Sequence, residues 1–356
     1  MSRIDRRTLL KLSTVVTGAL FVGQEREADS VTKLQPQMNN DTFPERTGSS
    51  APYTYHGANL HEASGIVASQ RHPGVFWIIR DGTGNSDPVR VGYRQTVLAV
   101  RFDAADGKLL RWPQGVRQTS CDGYVKYVYL KRADGSAVRN IDIEDVALDP
   151  ATSSLWLGNI GNNPHAAKPG ELFRFPEPDP ATATEVRADH GCRYYSTRDH
   201  AAAQINSEAL FLVDGVPHLL VKTAPGGSGL RQGQVLRIPV PDAPGGEVDA
   251  VALAVLPPAD GVAEKNFKPT GADLRDGKLL VATANGWSRY EADPGLHGDA
   301  LVKALASGPP KVHRYWEPDH SLVATEAIAW AHPPLGESFM SLSETGQFRW
   351  VREGGR

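Results

Sequence analysis

The sequence predicts an all-β propeller of four-stranded antiparallel blades, five in number, or six if an unusually long first interval hides one more. Three observations carry the prediction. The 356 residues include 35 glycines and 26 prolines, a density that long helices tolerate poorly and that short strands joined by turns accommodate. Five segments repeat one pattern: an acidic motif, a few apolar residues, a turn, then a strand-like apolar run. The motif acids stand at 62, 144, 208, 273 and 326, and each interval has room for about four strands of ordinary length. A lone blade of this kind cannot bury both its faces, so neighbours must stack around an axis.

The chain opens with Arg6-Arg7, then Thr8-Leu9-Leu10-Lys11-Leu12 and a modest apolar run to about Gly23. Residues 1–27 are therefore expected to be a twin-arginine-type signal that sends the chain out of the cytoplasm, to a periplasmic or secreted destination. A basic amphipathic helix is the alternative. The apolar run is too short to span a membrane comfortably. Residues 28–50 are polar and suggest a flexible leader, and 51–356 a single propeller domain. The formal net charge is −3, with no basic cluster beyond the first residues, which argues against a nucleic-acid partner. A monomer is expected.

The first repeat runs from His61-Glu62-Ala63-Ser64-Gly65-Ile66-Val67 into Val75-Phe76-Trp77-Ile78-Ile79. The second pairs Ile143-Glu144-Asp145-Val146-Ala147-Leu148 with Ser154-Leu155-Trp156-Leu157-Gly158, and the third Ser207-Glu208-Ala209-Leu210-Phe211-Leu212 with His218-Leu219-Leu220-Val221-Lys222. The fourth is Thr270-Gly271-Ala272-Asp273-Leu274 with Lys278-Leu279-Leu280-Val281-Ala282; the fifth is Thr325-Glu326-Ala327-Ile328-Ala329-Trp330 with Ser338-Phe339-Met340-Ser341-Leu342. Third strands are expected at 96–102, 171–175 and 234–238, and a fourth at 251–256. The last repeat ends after Gln347–Val351, so its fourth strand is expected from residues 52–56, which would close the ring by joining the chain's two ends. Residues 124–130 read as an extra hairpin, as elongated outer strands, or as the remnant of a sixth blade. Helical periodicity is confined to 297–307. Cys121 and Cys192 would pair in an oxidising compartment if their Cα atoms come close enough; two unrelated buried thiols is the other reading.

Several of these motifs together resemble a known group. Glu62-Ala63-Ser64-Gly65-Ile66 with Trp77 and Asp81, Glu144-Asp145-Val146-Ala147 with Leu157-Gly158-Asn159-Ile160-Gly161-Asn162-Asn163, and Phe173-Arg174-Phe175-Pro176-Glu177-Pro178 are similar to secreted bacterial propellers related to the "esterase-like activity of phytase" domain family. The likeness extends over about residues 58 to 350. It implies a propeller, export, and a calcium-assisted hydrolytic site. Related chains often carry Gly-Asp-Ile-Gly-Asp-Asn where this one has Gly158-Asn159-Ile160-Gly161-Asn162-Asn163. Amide oxygens ligate calcium without supplying charge, so affinity should fall.

Inner propeller strands line a channel, and the repeated acids are expected to converge there. Glu144, Asp145, Glu208 and Glu326 are the candidate catalytic groups; Glu62, Glu144, Glu208 and Glu326 are the candidate metal ligands. Clustered carboxylates repel one another unless a cation or shared protons relieve them, and hard oxygen ligands suit Ca²⁺ or Mg²⁺. The competing reading has each acid capping a turn or pairing with the next blade's backbone. His61, Glu62, Asp81, Asn159, Asn163, Asp273, Trp287 and Glu344 are candidate ligand contacts, with Trp287 and Tyr290 as a stacking wall or simply core. Walker, Gly-x-Ser-x-Gly and His-Glu-x-x-His signatures are absent, which disfavours a nucleotide cofactor. The leading expectation is a hydrolase of phosphate or carboxylate esters assisted by a divalent cation. The alternatives are a non-catalytic propeller that binds a glycan or small ligand, and an isomerase or cyclase using channel carboxylates as acid and base.

Overall fold

The computed structural model describes residues 53–54, 60, 62–81, 95–103, 107–120, 122–138, 142–161, 169–195, 206–224, 229–315, 325–331 and 338–352. The signal segment, the leader, His61, Cys121 and Asn163 lie outside the described residues. Cys192 is a buried free thiol, which matches the reading of an unpaired cysteine rather than the disulfide.

The strands form a five-bladed propeller, each blade running from an inner strand at the axis to an outer one. Blade 1 contains β2 (Ala63–Ala68), β3 (Val75–Arg80), β4 (Thr96–Phe102) and β6 (Lys126–Lys131), with β5 (Leu109–Leu110) paired to β4. Blade 2 contains β7 (Ile143–Asp149), β8 (Ser154–Asn159), β9 (Gly170–Pro176) and β11 (His190–Tyr195). Blade 3 contains β12 (Asn206–Val213), β13 (Val216–Thr223), β14 (Gln234–Arg237) and β16 (Val251–Val255). Blade 4 contains β17 (Pro269–Arg275), β18 (Lys278–Thr283), β19 (Gly286–Glu291) and β20 (Val312–Tyr315). Blade 5 contains β21 (Thr325–Trp330), β22 (Ser338–Ser343) and β23 (Gln347–Arg352), and its fourth strand is β1 (Tyr53–Thr54), antiparallel to β23. The two ends of the chain thus close the ring, as the sequence predicts. Residues 124–130 supply the outer strand of blade 1 rather than a sixth blade.

Two outer edges carry an additional strand from the next blade's segment. β10 (Glu185–Arg187) runs parallel to β6, and β15 (Gly246–Asp249) runs parallel to β11. Both cover an edge that would otherwise present unpaired backbone groups. The helix α1 (Gly298–Leu305) joins β19 to β20, and its first turn is capped by Asp214, whose Oδ2 accepts the Gly298 N–H at 2.8 Å.

Burial explains the apolar runs. Inner strands are covered on both faces by neighbouring blades, so β2, β3, β7 and β8 are buried at every position, whereas the outer strand β6 alternates and leaves Tyr129 exposed. The core is split into five layers between blades. The layer closing the ring packs Ile66, Phe76, Leu98 and Val100 against Met340, Leu342, Phe348 and Trp350. Trp287 stacks edge-on to Phe339 at 4.7 Å, and Tyr290 donates its hydroxyl to the Pro257 carbonyl at 2.6 Å. Both rings are buried, so the stacking-wall expectation gives way to core packing.

Each inner strand carries a β-bulge near its start, and the extra residue is Ser64, Glu144, Glu208, Thr270 or Glu326. A bulge re-aims the extra side chain and frees a ladder N–H. The residue that follows is Gly65, Asp145, Ala209, Gly271 or Ala327. It is small in four blades because inner strands nearly touch there. A Cβ on Gly65 would lie 2.7 Å from the Asp145 Cα, and one on Gly271 would lie 2.9 Å from the Ala327 Cα.

Candidate functional site

The bulge sets which repeated acids meet. Glu144, Glu208 and Glu326 occupy the same bulge position in blades 2, 3 and 5, while blades 1 and 4 place Ser64 and Thr270 there. The expected equivalence of Glu62 and Asp273 with these acids is corrected: they lie two residues before and three residues after the bulge of their own blades.

Glu62 acts through its backbone. It has a left-handed φ of 61°. Its N–H donates to the Glu344 carbonyl at 2.8 Å, and its own carbonyl accepts the Asp81 N–H at 2.8 Å. It thereby ties the first blade to the β22–β23 turn and positions Asp81. Asp145 and Asp273 are taken up between blades. Asp145 Oδ2 accepts the Leu210 N–H at 2.8 Å and the Ala272 N–H at 3.4 Å, and Oδ1 accepts the Val146 N–H at 2.8 Å. Leu210 and Ala272 are each the second residue after a bulge, so one carboxyl collects N–H groups that two bulges release. Burial still pushes Asp145 well above the usual carboxylate range despite those donors. Asp273 Oδ2 accepts the Trp330 N–H at 2.8 Å, and burial raises its pKa to about 7 against the pull of that bond and of Arg275. Where the sequence reading had Asp145 as catalytic and Asp273 as a ligand contact, the structure has both carboxyls bracing one blade against another.

The remaining acids form the site. Ligand oxygens of Asp81, Asp142 and Glu144 all lie within 4.8 Å of one another. Asp142 precedes β7 and is held by the loop after β8: its N–H donates to Asn159 Oδ1 at 3.0 Å, and its carbonyl faces the N–H groups of Ile160 and Gly161 at 3.2 and 3.3 Å. Asn159, expected as a ligand contact, spends its side-chain oxygen positioning Asp142. Gly161 provides the space: a Cβ there would lie 2.2 Å from Glu144 Oε1 and 2.4 Å from Asp142 Oδ2. Glu144 is buried, and its Oε1 accepts no hydrogen bond among the described residues. Burial drives the Glu144 pKa well above the usual range, and the charges of Glu208, Asp81 and Asp142 add to it.

The acidic groups are accompanied by a cation. Lys222, at the end of β13, forms an ion pair with Glu208 Oε2, and Asn206 Nδ2 donates to Glu208 Oε1 at 3.3 Å. Burial pulls Lys222 down, but the charges of Glu208, Glu326 and Glu144 and the Glu208 hydrogen bond outweigh it and raise its pKa. Glu326 rises to about 8, through burial first and then the charges of Glu208, Glu344 and Asp81, with Lys222 opposing. Glu344 itself is exposed in the β22–β23 turn.

Sequence reasoning missed Asp142 and Lys222. The available signal for the first was an acid two residues before Glu144, in a segment already rich in carboxylates. Lys222 carried a weaker one, a lone cation ending a second strand.

No protein-family model matches the chain, and no curated protein matches it. Many solved structures are similar, three of which serve as examples. A calcium-binding protein, regucalcin, from Agrobacterium tumefaciens is 11% identical, with 85% of this chain and 93% of that one covered and a TM-score of 0.41. The Pan2 WD40 domain of Neurospora crassa is 10% identical, covering 86% and 96%, with a TM-score of 0.39. A candidate 6-phosphogluconolactonase from Bacteroides uniformis is 13% identical, with a TM-score of 0.34; the match takes in 78% of this chain and 63% of the length of that one. At these identities and scores no chemistry passes from them to this chain, and the site is read from its own residues.

Proposed function

We propose that the axial cluster holds a divalent cation, Ca²⁺ or Mg²⁺, and that the protein hydrolyses phosphate or carboxylate esters there. One observation carries this reading: Glu144 Oε1 and Asp142 Oδ2 both border the space beneath Gly161, close to an oxygen of Asp81. Buried carboxylates converging on one space need charge compensation, and an all-oxygen set suits a hard cation. A bound divalent ion supplies polarisation of a phosphoryl or carbonyl oxygen and a more acidic water. The chain's own groups supply the rest. Glu326, with its pKa near 8, carries a proton at neutral pH and can donate it to a leaving alkoxide. Lys222, held by Glu208, places a fixed positive charge beside developing negative charge. The resemblance to esterase-like propellers agrees with this chemistry, and the Arg6-Arg7 segment with delivery outside the cytoplasm.

The test is a panel of phosphate and carboxylate esters offered to the purified chain with and without a chelator. Hydrolysis abolished by chelation and restored by Ca²⁺ or Mg²⁺ is expected. The raised Glu144 and Glu326 carboxyls also suit proton transfer without an ion, as in an isomerase or cyclase; turnover that survives full chelation but is lost in Glu144→Gln would favour that reading. Ligand-induced stabilisation with no turnover would favour a binding module.

A further inference from the structure

The two sides of the acidic cluster are satisfied unequally. On one side Glu144 Oε1 is buried and accepts no hydrogen bond among the described residues, with Asp81 and Asp142 beside it. On the other, both oxygens of Glu208 are engaged, Oε2 by the Lys222 ammonium and Oε1 by Asn206. Lys222 faces the Glu208 bulge from β13, at the point where the β12–β13 register skips. Its backbone carbonyl accepts the Gln232 side-chain N–H at 3.0 Å, which fixes the stem from which the ammonium reaches. Its charge also acts on Glu326 and Glu144. One lysine thus serves the carboxylates that the group of Asp81, Asp142 and Glu144 leaves over.

We infer that the axial funnel has two cation positions: one for a divalent ion at Asp81, Asp142 and Glu144, and a second at Glu208 and Glu326 that the Lys222 ammonium occupies permanently. The inference rests on the proposed ion at the first position and extends it. An ammonium contributes one positive charge and up to three donors in the place a hard cation would take. Without it, the buried Glu208 carboxylate would keep only its Asn206 contact and lose its counter-charge, which a proton or a second ion must then supply. Lys222 therefore sets the ion stoichiometry at one and keeps the second position closed to metal.

The experiment measures Mn²⁺ binding to the full chain by calorimetric titration, with metal analysis after desalting. Wild type is expected to bind one ion, Lys222→Met two, and Lys222→Arg one, since arginine restores the charge. A Lys222→Met chain that binds a single ion with wild-type affinity overturns the inference while leaving the first position intact. No ion in either chain overturns the proposed site and the inference together. An ion bound by Lys222→Met but not by wild type supports the Lys222 position and removes the one at Asp81, Asp142 and Glu144. If Lys222→Met does not fold, Glu208→Gln provides the test. It releases Lys222 toward Glu326 and Glu144, so Mn²⁺ affinity should fall at least tenfold; unchanged affinity overturns the inference.

Discussion

Glu144 and Asp145 are chain neighbours with opposite fates. The bulge turns Glu144 into the acidic cluster, with an oxygen left open, and turns Asp145 between blades, where three backbone N–H groups claim its carboxyl. Their substitutions should therefore separate cleanly. Each buried N–H left without an acceptor costs about 1–3 kcal/mol, so Asp145→Ala is expected to lose several kcal/mol in urea unfolding. An unchanged midpoint would contradict the bracing role. Glu144→Gln keeps the volume and removes the charge; it should lose cation-dependent hydrolysis while retaining most of its stability. Gly161→Ala places a methyl group against Glu144 Oε1 and Asp142 Oδ2. It should weaken cation affinity by tenfold or more with the far-ultraviolet circular dichroism spectrum preserved, and wild-type affinity would refute the proposed cradle.

At the scale of elements, the inner strands combine a bulge with a small following residue. Periodicity shows strands but not bulges, because one inserted residue leaves the composition of an apolar run unchanged while it reverses the facing of everything beyond it. Glu62 and Asp273 share the acidic motif with Glu144, Glu208 and Glu326 but stand two residues before and three residues after the bulges of their own blades. The strands themselves were legible: Val75–Arg80, Ser154–Asn159 and Ser338–Ser343 fall where the apolar runs place them. The outer strands β11 and β20 were not, since outer strands are half exposed and their alternation is short. Strand β13 carries its own pH signature. His218 stacks on Phe211 at 5.4 Å and its Nδ1–H donates to the Val216 carbonyl, and burial lowers its pKa to about 4. The unfolded chain binds this proton near pH 6.5, so the neutral ring stabilises the fold above that pH and the contribution is lost as pH falls toward 4, by up to about 3 kcal/mol. His218→Phe should flatten the loss of stability between pH 6.5 and 4.5 in urea titrations; parallel curves for variant and wild type would contradict this.

For the whole molecule, closure of the ring depends on β1, which pairs Tyr53 with Phe348 and Thr54 with Gln347. Deleting residues 1–57 removes that strand and exposes the edge of blade 5, whereas deleting 1–50 spares it. The longer deletion should lower the Tm and promote association, and equal melting of the two would argue against closure by β1. The Arg6-Arg7 segment makes a separate prediction: changing both to Lys should retain the chain in the cytoplasm of a host with twin-arginine export, as fractionation would show. The central claim is that strands from separate blades bring Asp81, Asp142 and Glu144 together around one divalent cation. Its most direct test is anomalous diffraction from crystals of the protein grown with Mn²⁺. A single strong peak between those three carboxylates is expected; ordered side chains with no peak there, at saturating Mn²⁺, would contradict it.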